Sequence, residues 1–317
     1  MIYNQISKFA RSLAKLVLPL IFKMLILLKI NRRVINFLKE KSYNSNNIYD
    51  FSEILDSFLK NDKIISLDIG AQGGFNSDNF FKSDYNDYFK PILIEPISSE
   101  AEKLSKNDKY LIKNGIWSEK IKKKLYILGN RLGSSSMYEP DQKNFDIHNI
   151  KEKDFKNFKV TETKEIECDT IQNSLEKLNI DKIDYLKIDT QGAEYEIFKG
   201  IGKYRPLLIK SEVHIFSMYK GVSNWARLLN LLYDLNYITI DWKEIGKHNT
   251  RAPAEMDMIL IPNFNNDIGK KLIIENEKKF ISLMLIFGHL NLLKLIIKRL
   301  NLNAPININS FEDKYFN

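Results

Sequence analysis

The sequence predicts an α/β protein with a doubly wound, mostly parallel seven-stranded sheet, an antiparallel last strand, and helical additions at both ends. Three observations lead there. Apolar runs of strand length alternate with amphipathic stretches of helix length, which implies right-handed crossovers and a mostly parallel sheet. The last two strand-like runs are separated only by "KEIGKHNTRAPA", too short for a crossover helix and suited to an antiparallel return. The 317 residues, 44% hydrophobic and 28% charged, suffice for one large globular core.

The elements follow in order. Residues 1–48 form a basic, apolar helical segment. Within "FARSLAKLVLPLIFKMLILLKI" (9–30), Lys15 and Lys23 interrupt any membrane span, and no small-residue cleavage site follows. At about 100° per residue, Lys8, Arg11, Lys15 and Lys29 share one narrow sector with Lys23 at its edge. Such a helix fits a membrane interface or a packing surface equally well, and Pro19 is placed to kink it.

Residues 49–262 form the body. Helices are expected at 49–60, 75–84, 97–107, 170–179, 192–200 and 221–235. Strands are expected at 63–69, 90–95, 109–116, 121–128, 160–168, 183–189, 206–213, 236–242 and 255–262. The polar stretch 130–159 is long enough for a substrate loop or lid. Residues 263–317 form a C-terminal helical extension, whose apolar run 278–300 is expected to bury part of its surface.

The net charge of +8 suggests nucleic acid until it is located. Residues 1–41 carry nine basic residues and one acid, and residues 270–317 carry eight and four, whereas residues 42–269 carry 31 basic and 35 acidic residues. A nucleic-acid enzyme carries its basic stripe on the body that does the chemistry, so no nucleic-acid partner is expected. Cys168 is the only cysteine, which excludes an intrachain disulfide and fits a reducing, cytoplasmic compartment. It reads as a small buried strand residue.

Two motifs carry chemistry. In "ISLDIGAQGGF" (65–75) a β-branched strand ends at Asp68 and runs into Gly70, Gly73 and Gly74, expected to precede a helix. Glycines let the backbone turn sharply and approach a ligand. The spacing is not GxGxxG and no Walker lysine follows. In "PILIEP" (91–96), Glu95 ends the next strand, where an acid can accept the hydroxyls of a ribose. A third stretch, "YLKIDTQGAEYEIFKG" (185–200), puts Asp189 and Glu194 where a strand becomes a helix.

Together with "NGIWSE" (114–119), "GSSSM" (133–137), "ECDTIQ" (167–172) and "LLIKSEV" (207–213), these segments resemble the FkbM family of S-adenosylmethionine-dependent methyltransferases. The resemblance covers about residues 60–262 in the family's order. One departure is Gln72, where the family usually has Asn. The resemblance implies a class I, Rossmann-like methyltransferase fold that uses S-adenosyl-L-methionine. Asp68 and the turn through Gly70, Ala71, Gln72 and Gly74 would hold the amino-acid part of that donor. Glu95 would take the ribose, and Gly115, Ile116 and Trp117 would border the adenine.

A hydroxyl acceptor needs a base. Asp189, Glu194, Glu212 and His214 lie at or just beyond strand ends, the edge where open α/β sheets bind ligands. Glu194 can also serve as a helix-end charge, and Asp169 can cap the helix near Thr170. The four candidates could jointly hold Mg²⁺, but no Asp-Asp or Asp-x-Asp pair appears, and no metal is expected. The expected reaction is O-methylation of a sugar, glycan or other small acceptor, with peripheral association at the inner membrane face through 9–30. The alternative is an inactive methyltransferase-fold scaffold at the membrane surface. A nicotinamide oxidoreductase fits the glycine spacing and the antiparallel final pair less well.

Overall fold

The computed structural model describes residues 50–106, 110–243 and 254–304, together with Met24 and Ala252. The basic apolar helix expected over 9–30 lies outside these residues, apart from Met24. Among the described residues no helix is long and apolar enough to cross a membrane.

Ten strands follow one another: β1 Ile64–Ile69, β2 Phe89–Ile94, β3 Leu111–Ile112, β4 Gly115–Ile116, β5 Ile121–Ile127, β6 Glu162–Asp169, β7 Tyr185–Ile188, β8 Leu208–His214, β9 Tyr237–Lys243 and β10 Glu255–Pro262. Seven of them build the main sheet in the order β3-β2-β1-β7-β8-β10-β9. Only β10 runs against its neighbours, pairing antiparallel with both β8 and β9. The order reverses between β1 and β7, so a crevice opens at their C-terminal ends. This is the Rossmann-like architecture that the sequence predicts.

Three expectations need correction. The run 109–116 is two short strands, not one: β3 stays in the main sheet and β4 joins a second sheet of order β4-β6-β5. The strands at 121–127 and 162–169 leave the main sheet and pair antiparallel with each other, from Ile121↔Cys168 to Ile127↔Glu162. Their outer residues are charged and exposed over most of their length, as suits a ribbon with one solvated face. The helix expected at 75–84, and with it a helix directly after the glycine turn, is absent. A chain of turns leads instead to a 3₁₀ helix at Ser83–Tyr88. Asn76 and Asn79 take left-handed φ of 55° and 51°. The Asn76 amide donates to the Phe81 carbonyl and to Asn86 Oδ1, and its own oxygen accepts from Phe80 N. Short polar side chains in "NSDNFFKSDYND" thus bind the backbone locally and outcompete the helix.

After β2 comes helix α2 Ser98–Leu104. The two faces of the sheet differ. One face packs Leu67, Ile69, Leu186, Ile188, Ile209 and Met258 against α3 Ile171–Glu176, α4 Glu194–Lys199, α5 Trp225–Asp234 and the inner side of the small sheet. The other begins apolar and aromatic, with Ile64, Phe89, Tyr185 and Leu208. It is covered by α1 Ser52–Leu59 and three C-terminal helices, α6 Asp267–Glu275, α7 Glu277–Ile286 and α8 Leu290–Leu300. The apolar run at 278–300 is broken at Gly288, which takes φ 80°, so it forms α7 and α8 instead of one rod. Helix α7 is buried all round from Lys279 to Ile286, the pattern of a central core helix. Phe287 beyond it contacts the rings of Phe80, Phe81 and Tyr185. The C-terminal segment therefore supplies a covering layer of the sandwich. Lys279 ties this layer down, donating to Asp184 Oδ2 and reaching Asp62 Oδ1, each at 2.8 Å.

Candidate active site

The crevice holds a cleft, at the strand-end position where open α/β sheets bind their ligands. Five segments line it: the glycine turn (Gly70, Gln72, Ser77, Asp78), the end of β2 (Ile94 to Ile97), the small sheet (Gly115, Ile116, Leu125), a roof loop within Leu132 to Met137, and the end of β7 (Lys187, Asp189 to Gln191). Gly70 must be glycine. It has φ 82°, and a Cβ there would land on the main-chain carbonyl of Asp189. That contact lets β1 and β7 end side by side, with Asp189 N donating to the Ile69 carbonyl at 3.0 Å.

Glu95 lines one side of the cleft, and its Oε1 accepts from Ile97 N at 2.8 Å. Burial pushes its carboxyl up to about 7. Ile97, Ile116, Leu125 and Met137 form an apolar wall beside it. On the opposite side a row of charges crosses the sheet. Asp68, Lys187 and Lys210 occupy matched positions on β1, β7 and β8, so their side chains share one face. Lys187 Nζ lies 3.2 Å from Asp68 Oδ1. Lys210 Nζ lies 2.6 Å from Asp78 Oδ2 and 3.3 Å from Asp257 Oδ1.

Burial is the largest influence on Asp68 and pushes its carboxyl up, with Lys187 opposing. Burial also works against the Lys187 ammonium, but Asp68, Asp189 and Asp78 hold its pKa above the ordinary value. Lys187 is therefore held in its charged form, and the pair is incompletely bonded. Asp68 Oδ2 is buried without a hydrogen-bond partner among the described residues. Lys187 has three protons to donate and one acceptor there, Asp68. A buried charge with spare valences beside a cleft suits a ligand that carries the complementary charges.

The structure divides the sequence-expected residues. Gly70, Gln72, Glu95, Ile116 and Asp189 line the cleft. Asp68 lies just beneath it, 1% exposed, and meets the cleft through Lys187. Ala71 is fully buried, and Gly74 packs near Leu104. Trp117 does not line the cleft. Its ring contacts Tyr138 and lies 4.1 Å from Lys123 Nζ, which places it in the packing between the small sheet and the roof loop.

Glu194 is not in the cleft either. Its Oε1 accepts from Thr190 N, Thr190 Oγ1 and Gly192 N at 3.0–3.2 Å, so it folds the loop after Asp189. Glu212 and His214 lie behind Asp189, with His214 Nε2 3.5 Å from Glu212 Oε2. Asp169 accepts from Thr170 N, Asn173 and Lys177, while Thr170 is the helix cap. Cys168 is buried, and burial pushes its thiol up to about 11. Among the described residues no three His, Cys, Asp or Glu side chains gather in a metal-holding group.

Sequence reasoning missed Lys187, Lys210, Asp78, Gln191 and Tyr219. For the lysines a signal existed. In "LKID" and "IKSEV" a lysine occupies a strand position whose neighbours two residues back, Tyr185 and Leu208, are buried core. Such a lysine is buried with its charge and needs a partner.

No curated protein matches the chain. A family model does: that of the methyltransferase FkbM domain matches residues 68–239, from the end of β1 to the start of β9. The match takes in the glycine turn, Glu95, the roof loop and the Asp189 loop, more than half of the chain, and by it the protein belongs to the FkbM methyltransferase family.

Proposed function

We propose that this methyltransferase uses S-adenosylmethionine as donor and methylates a hydroxyl oxygen of a sugar, glycan or other small acceptor. The observation that carries the donor reading is the under-bonded Lys187–Asp68 pair at one side of the cleft, with Glu95 and the apolar wall at the other. These residues fit the group. Glu95 can accept ribose hydroxyls, Ile97, Ile116 and Leu125 face the adenine, Lys187 takes the carboxylate, and Asp78 or Asp68 the ammonium. Bound there, S-adenosylmethionine supplies a methyl group on a positively charged sulfur. Asp189, which lines the cleft, receives the proton of the acceptor hydroxyl as its oxygen takes the methyl. The roof loop excludes water, and the polar run 138–159 borders the acceptor side. Peripheral membrane binding through 9–30 belongs to the same proposal, as a means of reaching a lipid-linked or cell-surface sugar. Pelleting of full-length protein with anionic vesicles, and its loss on deleting residues 1–41, tests that part.

Calorimetry with S-adenosylhomocysteine tests the donor, and the absence of a heat of binding overturns the reading. The same titration has a pH signature. Ribose hydroxyls donate to the ionised Glu95 carboxylate, which prevails only above its value of about 7. Affinity is expected to be level above that pH and to fall by up to about tenfold per pH unit below it. Glu95→Gln should flatten the profile.

Asp189→Asn is expected to lower methyl transfer by about 10²–10⁴-fold, the usual weight of a positioned base, while S-adenosylhomocysteine affinity stays within a few-fold. The acceptor is sought by mass spectrometry of cell-surface glycans with and without the gene, where a missing methyl identifies it.

A further inference from the structure

We infer that Gln191 is a positioning residue that orients Asp189 by holding it against Glu212, and that Tyr219 fixes the amide in the orientation that does so. The inference rests on the proposed role of Asp189 as base. Every polar atom of the Gln191 side chain is engaged. Its Nε2 donates to Asp189 Oδ1 at 3.1 Å and to Glu212 Oε2 at 2.5 Å. Its Oε1 lies 2.9 Å from the Tyr219 hydroxyl, which is also 2.7 Å from the Ser134 carbonyl. Its main-chain carbonyl accepts from Ser136 Oγ at 2.7 Å. The backbone is left-handed, with φ 58°, a conformation uncommon for a residue other than glycine, asparagine or aspartate. An unfavourable backbone held by four hydrogen-bonding groups is the pattern of a site constraint.

The arrangement answers an electrostatic problem. Asp189 ends β7, and Glu212 lies near the end of the adjacent β8. Glu212 also faces Glu194 from α4, Glu255 and Asp257 from β10, and His214 on its own strand. The cations Lys187 and Lys210 lie one step back along the same two strands. Burial, then Asp189, push the Glu212 carboxyl well above the ordinary carboxylate range. One amide group supplies both carboxylates with a proton donor, and only when its nitrogen faces them. Rotated by half a turn, its oxygen would face the two acids and its nitrogen the phenol. The Tyr219 hydroxyl carries one proton, which Gln191 Oε1 and the Ser134 carbonyl share, and in giving it to Gln191 Oε1 it favours the first orientation. The base is thus aligned through its hydrogen bonds by a residue at the edge of the same cleft.

The test follows the carboxyl carbon of Glu212 by ¹³C NMR titration, with its signal assigned through Glu212→Gln. Gln191→Met keeps the length of the side chain and removes its polar atoms. Its loss of a donor to the ionised form should raise the Glu212 midpoint by roughly one pH unit or more. Tyr219→Phe keeps the ring against His214, with centroids 5.9 Å apart, and should shift it the same way by less. It also serves should Gln191→Met fail to fold. S-adenosylhomocysteine affinity is expected to stay within about threefold in Tyr219→Phe. A midpoint that stays in place in a folded variant overturns the inference, because a residue that only packs would not set it. Incorporation of labelled methyl from S-adenosylmethionine into a cell extract adds the catalytic readout. Its pH profile should move upward in Gln191→Met. Wild-type protein that labels nothing counts against the proposed reaction, whereas the titration decides the role of Gln191 independently.

Discussion

Lys187→Met is expected to erase the protein's preference for a ligand with a carboxylate and to destabilise the fold at neutral pH. Wild type should bind S-adenosylhomocysteine roughly 10–100-fold more tightly than its decarboxylated analogue, the weight of one charge-assisted hydrogen bond. The variant should bind the two alike. Equal binding of the two compounds by wild type would remove Lys187 from the donor site. The stability effect has a separate cause. Lys187 is the cation beside Asp68, and both side chains are buried, at 7% and 1% exposure. Removing one partner of a buried pair leaves an uncompensated charge and costs about 3–5 kcal/mol.

The sign with pH follows from the carboxyl left behind. Burial pushes Asp68 up, and without Lys187 nothing beside it opposes that push. A folded carboxyl raised above its unfolded value of about 3.9 binds its proton more tightly in the folded state. The variant's deficit should therefore be largest at neutral pH and above, and shrink as the pH falls toward 4. Urea melts at pH 5 and pH 7.5 read this out, and a pH-independent deficit would contradict the charge argument.

Removing the C-terminal helices, by ending the chain at Asn265, is expected to abolish folding altogether. The deletion takes away Ile273, Phe280, Ile281, Leu283, Met284, Leu285, Ile286, Phe287, Leu293 and Ile296, all almost completely buried. It also uncovers Phe81, Phe89, Tyr185, Ile259 and Ile261 on the sheet side and strands Asp184 without Lys279. Full burial of one such side chain contributes about 1.5–3 kcal/mol, while a whole domain keeps a margin of about 5–15 kcal/mol. Losing ten of them, with their partners exposed, exceeds that margin. The truncated chain should collect in the insoluble fraction, or show no near-ultraviolet dichroism if solubilised. The point version is Phe280→Ala, expected to cost about 3–5 kcal/mol. A truncated chain that folded and bound donor would mean that the family-matched region, residues 68–239, needs no second covering layer.

Much of the cleft's lining was legible in the sequence. Gly70 and Glu95 follow strands whose apolar runs end sharply, and Asp189 does the same. Strand ends on one edge of an open α/β sheet converge on one crevice, so three local signals added up to one place. Trp117 shows where such reasoning fails. It follows the small strand Gly115–Ile116 closely enough to be assigned to the adenine. Yet β4 had left the main sheet, and the indole turned into the packing under Lys123. Glu194 was legible as a loop-end acid, but its three main-chain and hydroxyl donors all come from its own loop.

By itself the sequence determined the alternation of strands and helices, the antiparallel close, the glycine turn and the acids at the strand ends. Each depends on neighbours within a few residues, through periodicity, backbone freedom at glycine and the abrupt end of an apolar run. Only the tertiary structure decided that residues 121–127 and 162–169 form their own sheet, and that α7 belongs to the layer covering one face of the main sheet. It alone decided that Lys187 meets Asp68 across 119 positions of chain and that Gln191 reaches Glu212 across 21. Pairings of that range depend on which strands become neighbours and which face each side chain takes. A one-residue change of register would send Lys187 to the opposite face of the sheet, and with it the charge on which the donor reading rests.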